Sequence, residues 1–561
     1  SSDLQARTER IENHSNRFTS VKRLGRDERL NLDLLTIELS GSTAARVSIT
    51  VDTFKILKRY ASRRAIVAYW NTDEETWRIS LLTASPRIHD GNLTTELSNP
   101  RRHSYLLGPG SKIGTATKNL ITAGACRSVE DLENRFALEV VNKEFYTQLA
   151  ELFMRLVGAT REDRDHKSTQ KALLRLPGRQ DSLRMHEFGV RLIGRIVFCW
   201  FLKQKSGTSG IPLLPDTVFP QNLQGRTNIY SQILQPLFFE VLNKPLNTRG
   251  RSFRNTHYDQ VPFLNGGLFE PLDGPRGDHY SKTSTDVKIP DRWFIEFFEF
   301  LGRYNFTIDE NMSIDSDLSV DPEMLGRVFE NLLAEINPET GESARKATGS
   351  FYTPRTVVDY MVDKGIIEYL VEKTGLHREW LAALVTYDKS DDIILNLEDA
   401  DRRKIVEALA DLRALDPACG SGAFPIGLLQ KIVYVLHIVD SDCEIWTEIE
   451  CMRVSPEYRR LIRRNLTENG AEYVRKLGVI RRCIYGVDIQ AVATEIARLR
   501  CFLTLIVDAK VDDTLDNRGI EPLPNLEFKF VTANSLLSLS ASAADRKSTR
   551  LNSSHANISY A

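Results

Sequence analysis

The chain has 561 residues, with 74 Lys and Arg against 75 Asp and Glu and a formal net charge of −1. A hydrophobic share of 42%, a charged share of 27%, 32 Gly and 21 Pro exclude collagen-like, low-complexity and mostly disordered chains. The length suggests about three to four domains, and no apolar run approaches the roughly 18 residues needed to span a bilayer. No signal-peptide pattern opens the chain, so no membrane association is expected. Seven scattered cysteines make no disulfide framework and fit a reducing, cytoplasmic setting. The first residue is Ser rather than Met, which suggests an incomplete N-terminus.

Residues 1–125 read as an α+β region. Ala45 to Val51 alternates apolar and polar, as a half-buried strand does. Ala65 to Trp70 and Thr76 to Thr83 flank Asn71-Thr72-Asp73 and read as a hairpin. A metal-dependent nuclease would place an Asp and a Glu-x-Lys triplet on a strand, because paired carboxylates and a Lys hold a metal and activate water. Asp33, Glu38 and Asp52 occur here without such a triplet, so they read as solvated strand ends and no metal ligand is assigned.

Residues 126–345 read as a helical domain. Leu132 to Gly158 carries apolar residues at spacings of three and four, and Phe188 to Leu202 is apolar almost all round, as a buried helix is. Arg161 to Lys205 holds 11 Lys and Arg against 5 Asp and Glu, either a phosphate-contacting surface or a solvated face. The stretch 206–290, rich in Pro, Gly and Asn, is expected to form loops with short elements. Within it, Asn265 to Glu270 predicts a tight turn with Phe269 as an anchoring aromatic.

Residues 346–544 change character. Helices are predicted at Arg355 to Gly375, Ala423 to Val439 and Ala491 to Val507, with strands at Arg413 to Pro417, Ile484 to Asp488 and Phe528 to Thr532. This alternation implies an α/β fold with a parallel sheet covered on its faces. Cys451 to Arg482 carries 9 Lys and Arg against 3 Asp and Glu on a predicted helix, and the same two readings apply.

The densest chemistry lies at Asp416-Pro417-Ala418-Cys419-Gly420-Ser421-Gly422-Ala423-Phe424, between a strand and a helix. Gly420 and Gly422 remove the Cβ atoms that would keep a ligand from the backbone, and the N–H groups at the helix start favour its polar parts. Asp488 ends the next strand, where an acid can bind the two hydroxyls of a ribose or simply cap the following helix. It lies far beyond the roughly 20-residue spacing of a dinucleotide-binding dehydrogenase. Upstream, Thr348-Gly349-Ser350-Phe351-Tyr352-Thr353-Pro354-Arg355 runs into a helix, with Thr353 placed to cap it and Pro354 in its first turn.

Taken together, these segments resemble the γ-class DNA adenine-N6 methyltransferases, and more narrowly the large methylases of type II G restriction–modification proteins. Asn265 to Glu270, Arg303-Tyr304-Asn305-Phe306 and Asp321 to Leu332 are similar to that subfamily as well. The resemblance covers roughly residues 130–540. It implies a Rossmann-like S-adenosylmethionine-dependent domain and double-stranded DNA as partner. It also implies that Tyr352, Thr353 and Pro354 meet the methionine end of the cofactor. Asp416, Ala418, Cys419, Gly420, Ser421 and Gly422 would line the methionine and sugar. Asp488 would bind the ribose and Ile489 would pack on the adenine. Asn534 stands where the family places an acid for the adenine amino group, and its amide oxygen can still accept that hydrogen bond.

The family's catalytic Asn/Asp-Pro-Pro-Tyr/Phe, which holds a flipped-out adenine, occurs nowhere in the 561 residues. No catalytic residue is therefore assigned, and the chain is expected to be a C-terminally truncated fragment. Residues 545–561 read as a foreign, disordered tail. Two other functions fit the residues: a methyltransferase acting on protein or RNA, and a module that binds cofactor and DNA without turnover.

Overall fold

The period-two strands of the N-terminal region assemble into a mixed sheet in the computed structural model of the chain. The structure describes residues 4–5, 9–11, 15, 17–40, 47–60, 62–89, 92–163, 166–178, 181–221, 228–250, 253, 256–264, 269, 279–283, 286–307, 315–334, 353–386, 397–521 and 526–536. Strands β1 (Phe18–Asp27), β2 (Leu32–Leu39), β3 (Arg64–Trp70), β4 (Trp77–His89) and β5 (Asn92–Leu107) lie side by side in that order. The β2–β3 pair is parallel and the others are antiparallel. Ala65, Val67 and Tyr69 of β3 are fully buried and alternate with half-exposed neighbours. The predicted β3–β4 hairpin is present, and its turn is held by Asp73 N–H donating to Asn71 Oδ1 at 2.9 Å.

Two expectations fail in this region. Where a strand was expected from residue 45, Val47–Arg59 forms helix α1; Ala45 and Arg46 lie outside the described residues. The short alternation is the start of a longer helical pattern, in which Ile49, Thr50, Thr53, Phe54, Ile56 and Leu57 are buried. Nor are Asp33 and Asp52 solvated strand ends, although Glu38 lies half-exposed at the end of β2. Asp33 is 1% exposed and pairs with Arg23 at 2.5 Å and Arg26 at 3.0 Å, while Asp52 lies in α1 and pairs with Arg17. Glu38 accepts from Ser20 at 2.9 Å, so each acid has its own partner. Among the described residues no group of three His, Cys, Asp or Glu is placed to hold a metal ion.

The middle of the chain packs α2 (Val129–Arg135), α3 (Leu138–Val157), α4 (Ser182–Lys203), α5 (Asp291–Leu301) and α6 (Pro322–Ala334) around one large core. Every residue of α4 from Phe188 to Leu202 is buried, as its all-round apolarity predicts. Gly189 lets α3 approach, since a Cβ there would stand 2.7 Å from Val157 Cγ1. The stretch expected to be loop contains a 13-residue helical segment, 229–241, with π-type turns at Tyr230–Leu234 and Leu237–Val241. Its apolar positions Ile229, Ile233, Leu237 and Val241 recur every four residues; Pro236 and the surrounding polar composition hid the pattern. Phe269 is the anchor expected of it, fully buried with its ring stacked on Phe238 at 5.8 Å. Asn265 to Leu268 and Glu270 lie outside the described residues.

The C-terminal part alternates strand and helix as predicted. It contains α7 (Arg355–Thr374), α8 (Asp399–Asp411), β6 (Ala414–Asp416), α9 (Ala423–Val439), α10 (Glu444–Met452), α11 (Pro456–Glu468), α12 (Ala471–Arg482), β7 (Ile484–Asp488), α13 (Ala491–Asp508) and β8 (Phe530–Thr532). The three strands pair in parallel in the order β6-β7-β8, with Asp416 opposite Gly486 and Asp488 opposite Thr532. Parallel neighbours need crossovers, which the helices supply. Helix α13 is buried on two sides. Val492, Ile496, Leu499, Phe502, Leu503 and Ile506 enter the large core, whereas Ala497, Cys501 and Leu505 enter the core around the parallel sheet.

No disulfide joins any of the seven cysteines. No single helix among the described residues is long and apolar enough to cross a membrane. The tail expected from residue 545 lies outside the described residues.

Candidate functional site

The parallel register carries the ends of β6 and β7 to the same level, and the segment after β6 turns sharply back over β7. Cys419 N–H donates to the Val487 carbonyl at 2.9 Å, and Gly420 N–H donates to Asp488 Oδ2 at 2.9 Å. Two left-handed glycines make the turn, Gly420 at φ +52° and Gly422 at φ +89°. Gly422 is also pressed on α13, where an added Cβ would lie 3.1 Å from Ala497 Cβ. Gly486 has a matching role below the turn, because a Cβ there would meet Cys419 Sγ and Phe530 at 2.7 Å each.

Asp488 therefore orders the turn as well as the next helix, its other oxygen accepting Gln490 N–H at 2.8 Å. Its carbonyl accepts Ala533 N–H at 2.9 Å, which brings the segment after β8 beside Asp488 and Ile489. Ile489 is 63% exposed on this rim. Asn534 is exposed too, and its Oδ1 accepts Leu536 N–H at 3.0 Å. Asp416 accepts Ala418 N–H at 3.1 Å. Burial raises its carboxyl above the usual range, the Ala418 bond opposes this, and the nearby charge of Asp488 adds to it. The neighbouring carboxyl groups of Asp416 and Asp488 make this rim favourable for a positively charged ligand group.

The predicted residues are not all alike in accessibility. Ala418 is exposed, Cys419 is turned inward at 5% exposure, and Ser421 is fully buried. Ser421 lies beneath Gly326 of α6, where a Cβ would stand 2.5 Å from its Oγ, and its carbonyl accepts Arg500 Nη1 at 2.9 Å. Thr353 does not cap α7. Pro354 occupies the capping position, without a side-chain bond, and the N–H groups of Val357 and Val358 donate to its carbonyl. Thr353 instead lines a small gap with Glu323, Arg355, Ala423 and Gly427, which places it beside the start of α9. Tyr352 lies outside the described residues.

One feature of the site escaped sequence reasoning. Helix α6 is tied to the start of α7 by Arg355 pairing with Glu323 at 2.5 Å, and Arg355 also donates to Gln430 of α9. Asp321 accepts Met324 N–H at 2.9 Å and so fixes where α6 begins. Beside the glycine turn an open cleft of about 340 Å³ is lined by Met361, Leu415, Asp416, Pro417, Phe424 and Tyr485, mostly apolar with one carboxylate.

Among the described residues, neither basic segment forms one continuous cationic face. In the first, Arg191 and Arg195 are buried, Lys203 pairs with Asp216, and Lys205 donates to the Val507 carbonyl; Lys171 and Arg175 are exposed. The second folds as α11 and α12, and Arg453, Arg464, Arg475, Lys476 and Arg482 all have acidic partners. Arg459, Arg460 and Arg463 are exposed on one face of α11.

No family model matches the chain. Over 445 residues it is 29% identical to a protein of Methanocaldococcus jannaschii named "Putative type II restriction enzyme and methyltransferase RM.MjaORFECS2P", an alignment covering 76% of this chain and 33% of that protein. The chain thus spans about a third of that relative's length. A solved structure of the Type IIL restriction-modification enzyme MmeI in complex with DNA is similar at 14% identity and a TM-score of 0.36, covering 72% of this chain and 40% of that one.

Proposed function

We propose that the chain is the cofactor-binding portion of a DNA methyltransferase of a restriction–modification system, one that uses S-adenosylmethionine and acts on adenine N6 in double-stranded DNA. The observation that carries this reading is the meeting of the turn Asp416–Gly422 with the Asp488 carboxylate at the ends of adjacent parallel strands. Open α/β sheets bind nucleotides in that crevice. The similarity to a protein named for restriction and methyl transfer supports the same reading.

The residues fit the cofactor. Asp488 keeps lone pairs for ribose hydroxyls after accepting two N–H bonds, and Ile489 offers an apolar side chain to an adenine ring. The backbone of Ala418, Gly420 and Gly422 approaches without side-chain obstruction, while Cys419 and Ser421 contribute through backbone atoms alone. Thr353 and Pro354, at the start of α7, would meet the methionine end. Asn534 accepts from the adenine amino group when its amide oxygen is shared with Leu536. When bound, the cofactor supplies an electrophilic methyl group on a sulfonium, a charge that Asp416 and Asp488 favour. With no Asn/Asp-Pro-Pro-Tyr/Phe in the sequence, these residues bind and orient, and none of them is assigned the transfer.

Two measurements test this. Titration calorimetry should show S-adenosylmethionine binding that Asp488→Ala weakens about tenfold or more, the cost of losing charge-assisted bonds. Absence of heat at millimolar cofactor sinks the cofactor assignment. A tritiated-methyl assay on plasmid DNA should show no turnover by this chain. DNA methylation would disprove the lack of catalytic residues, and labelling of RNA or protein instead would move the substrate class.

A further inference from the structure

A second, larger cleft of about 660 Å³ lies in the helical part, lined by Lys171, Ala172, Leu173, Arg175, Asn228, Lys288, Ile289, Pro290 and Asp291. Its floor is an isolated antiparallel bridge between Arg175 and Lys288, whose N–H groups donate reciprocally to each other's carbonyls at 2.9 Å. Residues paired this way project to the same face with Cβ atoms about 5 Å apart, and like charges placed directly opposite destabilise the pair. Both side chains are exposed, as is that of Lys171, and none of the three has an acidic partner among the described residues. The one carboxylate among the described residues of the cleft is already committed. Asp291 accepts Asn228 N–H at 2.7 Å and Ile229 N–H at 2.6 Å, capping the helical segment 229–241 from the first turn of α5. Its negative charge is thereby spent on the N-terminus of that segment.

Such an arrangement costs stability in the free chain and gains it from an anion. We infer that Lys171, Arg175 and Lys288 form a binding surface for the phosphodiester backbone of duplex DNA. The inference rests on the DNA reading proposed above and deepens it by naming where phosphates are held. An open cleft with its cations exposed suits a passing polyanion better than an enclosed small ligand. The three side chains give it a charge that the balanced composition of the whole chain conceals.

The test is fluorescence anisotropy of the full chain on a short labelled duplex across a salt series, with the wild type, Arg175→Gln/Lys288→Gln and Lys171→Gln. Each lost phosphate contact should flatten the slope of log affinity against log salt by about 0.9, so by about 1.8 in the double variant. The double variant should melt no lower than the wild type without DNA, because it removes a like-charge pair. Lys171→Gln, outside the bridge, provides the reading if the double variant fails to fold. Unchanged slopes in a chain that binds DNA overturn the cleft and leave the proposed function standing. A wild type that does not bind duplex overturns both. Loss of DNA binding in low-millimolar inorganic phosphate would mark a small-anion site and overturn the polyanion assignment.

Discussion

Gly422 has two separate reasons to be glycine, and they predict the same outcome. Its φ of +89° is a conformation that costs other residues about 1–2 kcal/mol, and its missing Cβ leaves room for Ala497. Gly422→Ala should lower stability by at least that amount in denaturant titration, and weaken cofactor binding by disturbing the turn. At Asp416 the prediction concerns pH. Its carboxyl is raised mainly by burial, so the folded chain holds this proton more tightly than the unfolded chain. Stability at this position therefore falls as pH rises from the unfolded value of about 3.9 through the higher folded one. Cofactor affinity should run oppositely, since only the ionised acid attracts a sulfonium, and should decline as pH drops through the raised value. Asp416→Asn should flatten both dependences; profiles that match the wild type would show that another group titrates. The glycines and both acids were legible in the sequence because turn geometry restricts residue type so strongly. The inward facing of Cys419 and Ser421 was not, because it depends on Gly486 and Gly326, which lie far away in the chain.

Among the elements, α6 is the one whose purpose changes most once the fold is known. The sequence shows Asp321-Pro322-Glu323-Met324-Leu325-Gly326 as a motif without a role. In the fold, Glu323 grips Arg355 at the start of α7, and Gly326 rests on Ser421 inside the glycine turn. A helix from the middle of the chain thus braces two segments of the candidate site without lining its cleft. Glu323→Gln should weaken cofactor binding severalfold in calorimetry while circular dichroism and melting remain near wild type, and Glu323→Asp should restore part of it. Equal affinity across the three proteins would reduce α6 to a cover. Periodicity read α7, α9 and α13 nearly to their ends, since each repeats its apolar face over several turns, but it ran α2 and α3 together and missed the first six residues of α4. It failed at α1, where a seven-residue window looked like a strand, and at 229–241, where Pro236 interrupts the composition but not the apolar spacing.

At the scale of the molecule, α13 joins what the sequence presents as separate domains. Phe502 meets Phe198 of α4 at 5.6 Å, while Cys501 and Leu505 belong to the core around the parallel sheet. The segment after α13 continues the join. Arg518 donates to the carbonyls of Ile211, Pro212 and Gln260, and Asn517 exchanges bonds with the backbone of Phe263. These are buried or half-buried bonds between residues some 250 to 300 positions apart, and opening one core would strand them. The two cores are therefore expected to unfold together. Phe502→Ala removes a ring from the large core at a cost of about 3–5 kcal/mol. Hydrogen exchange should then report equal loss of protection in α4 and in β7, although Phe502 touches only the first core. Trp200 and Trp293 in that core and Trp446 in the other should lose their native fluorescence at one denaturant concentration. Loss confined to α4, with β7 still protected, would mean that α13 is a shared surface between independent units. The cofactor site would then survive on the parallel sheet alone, without the helical part that braces its glycine turn.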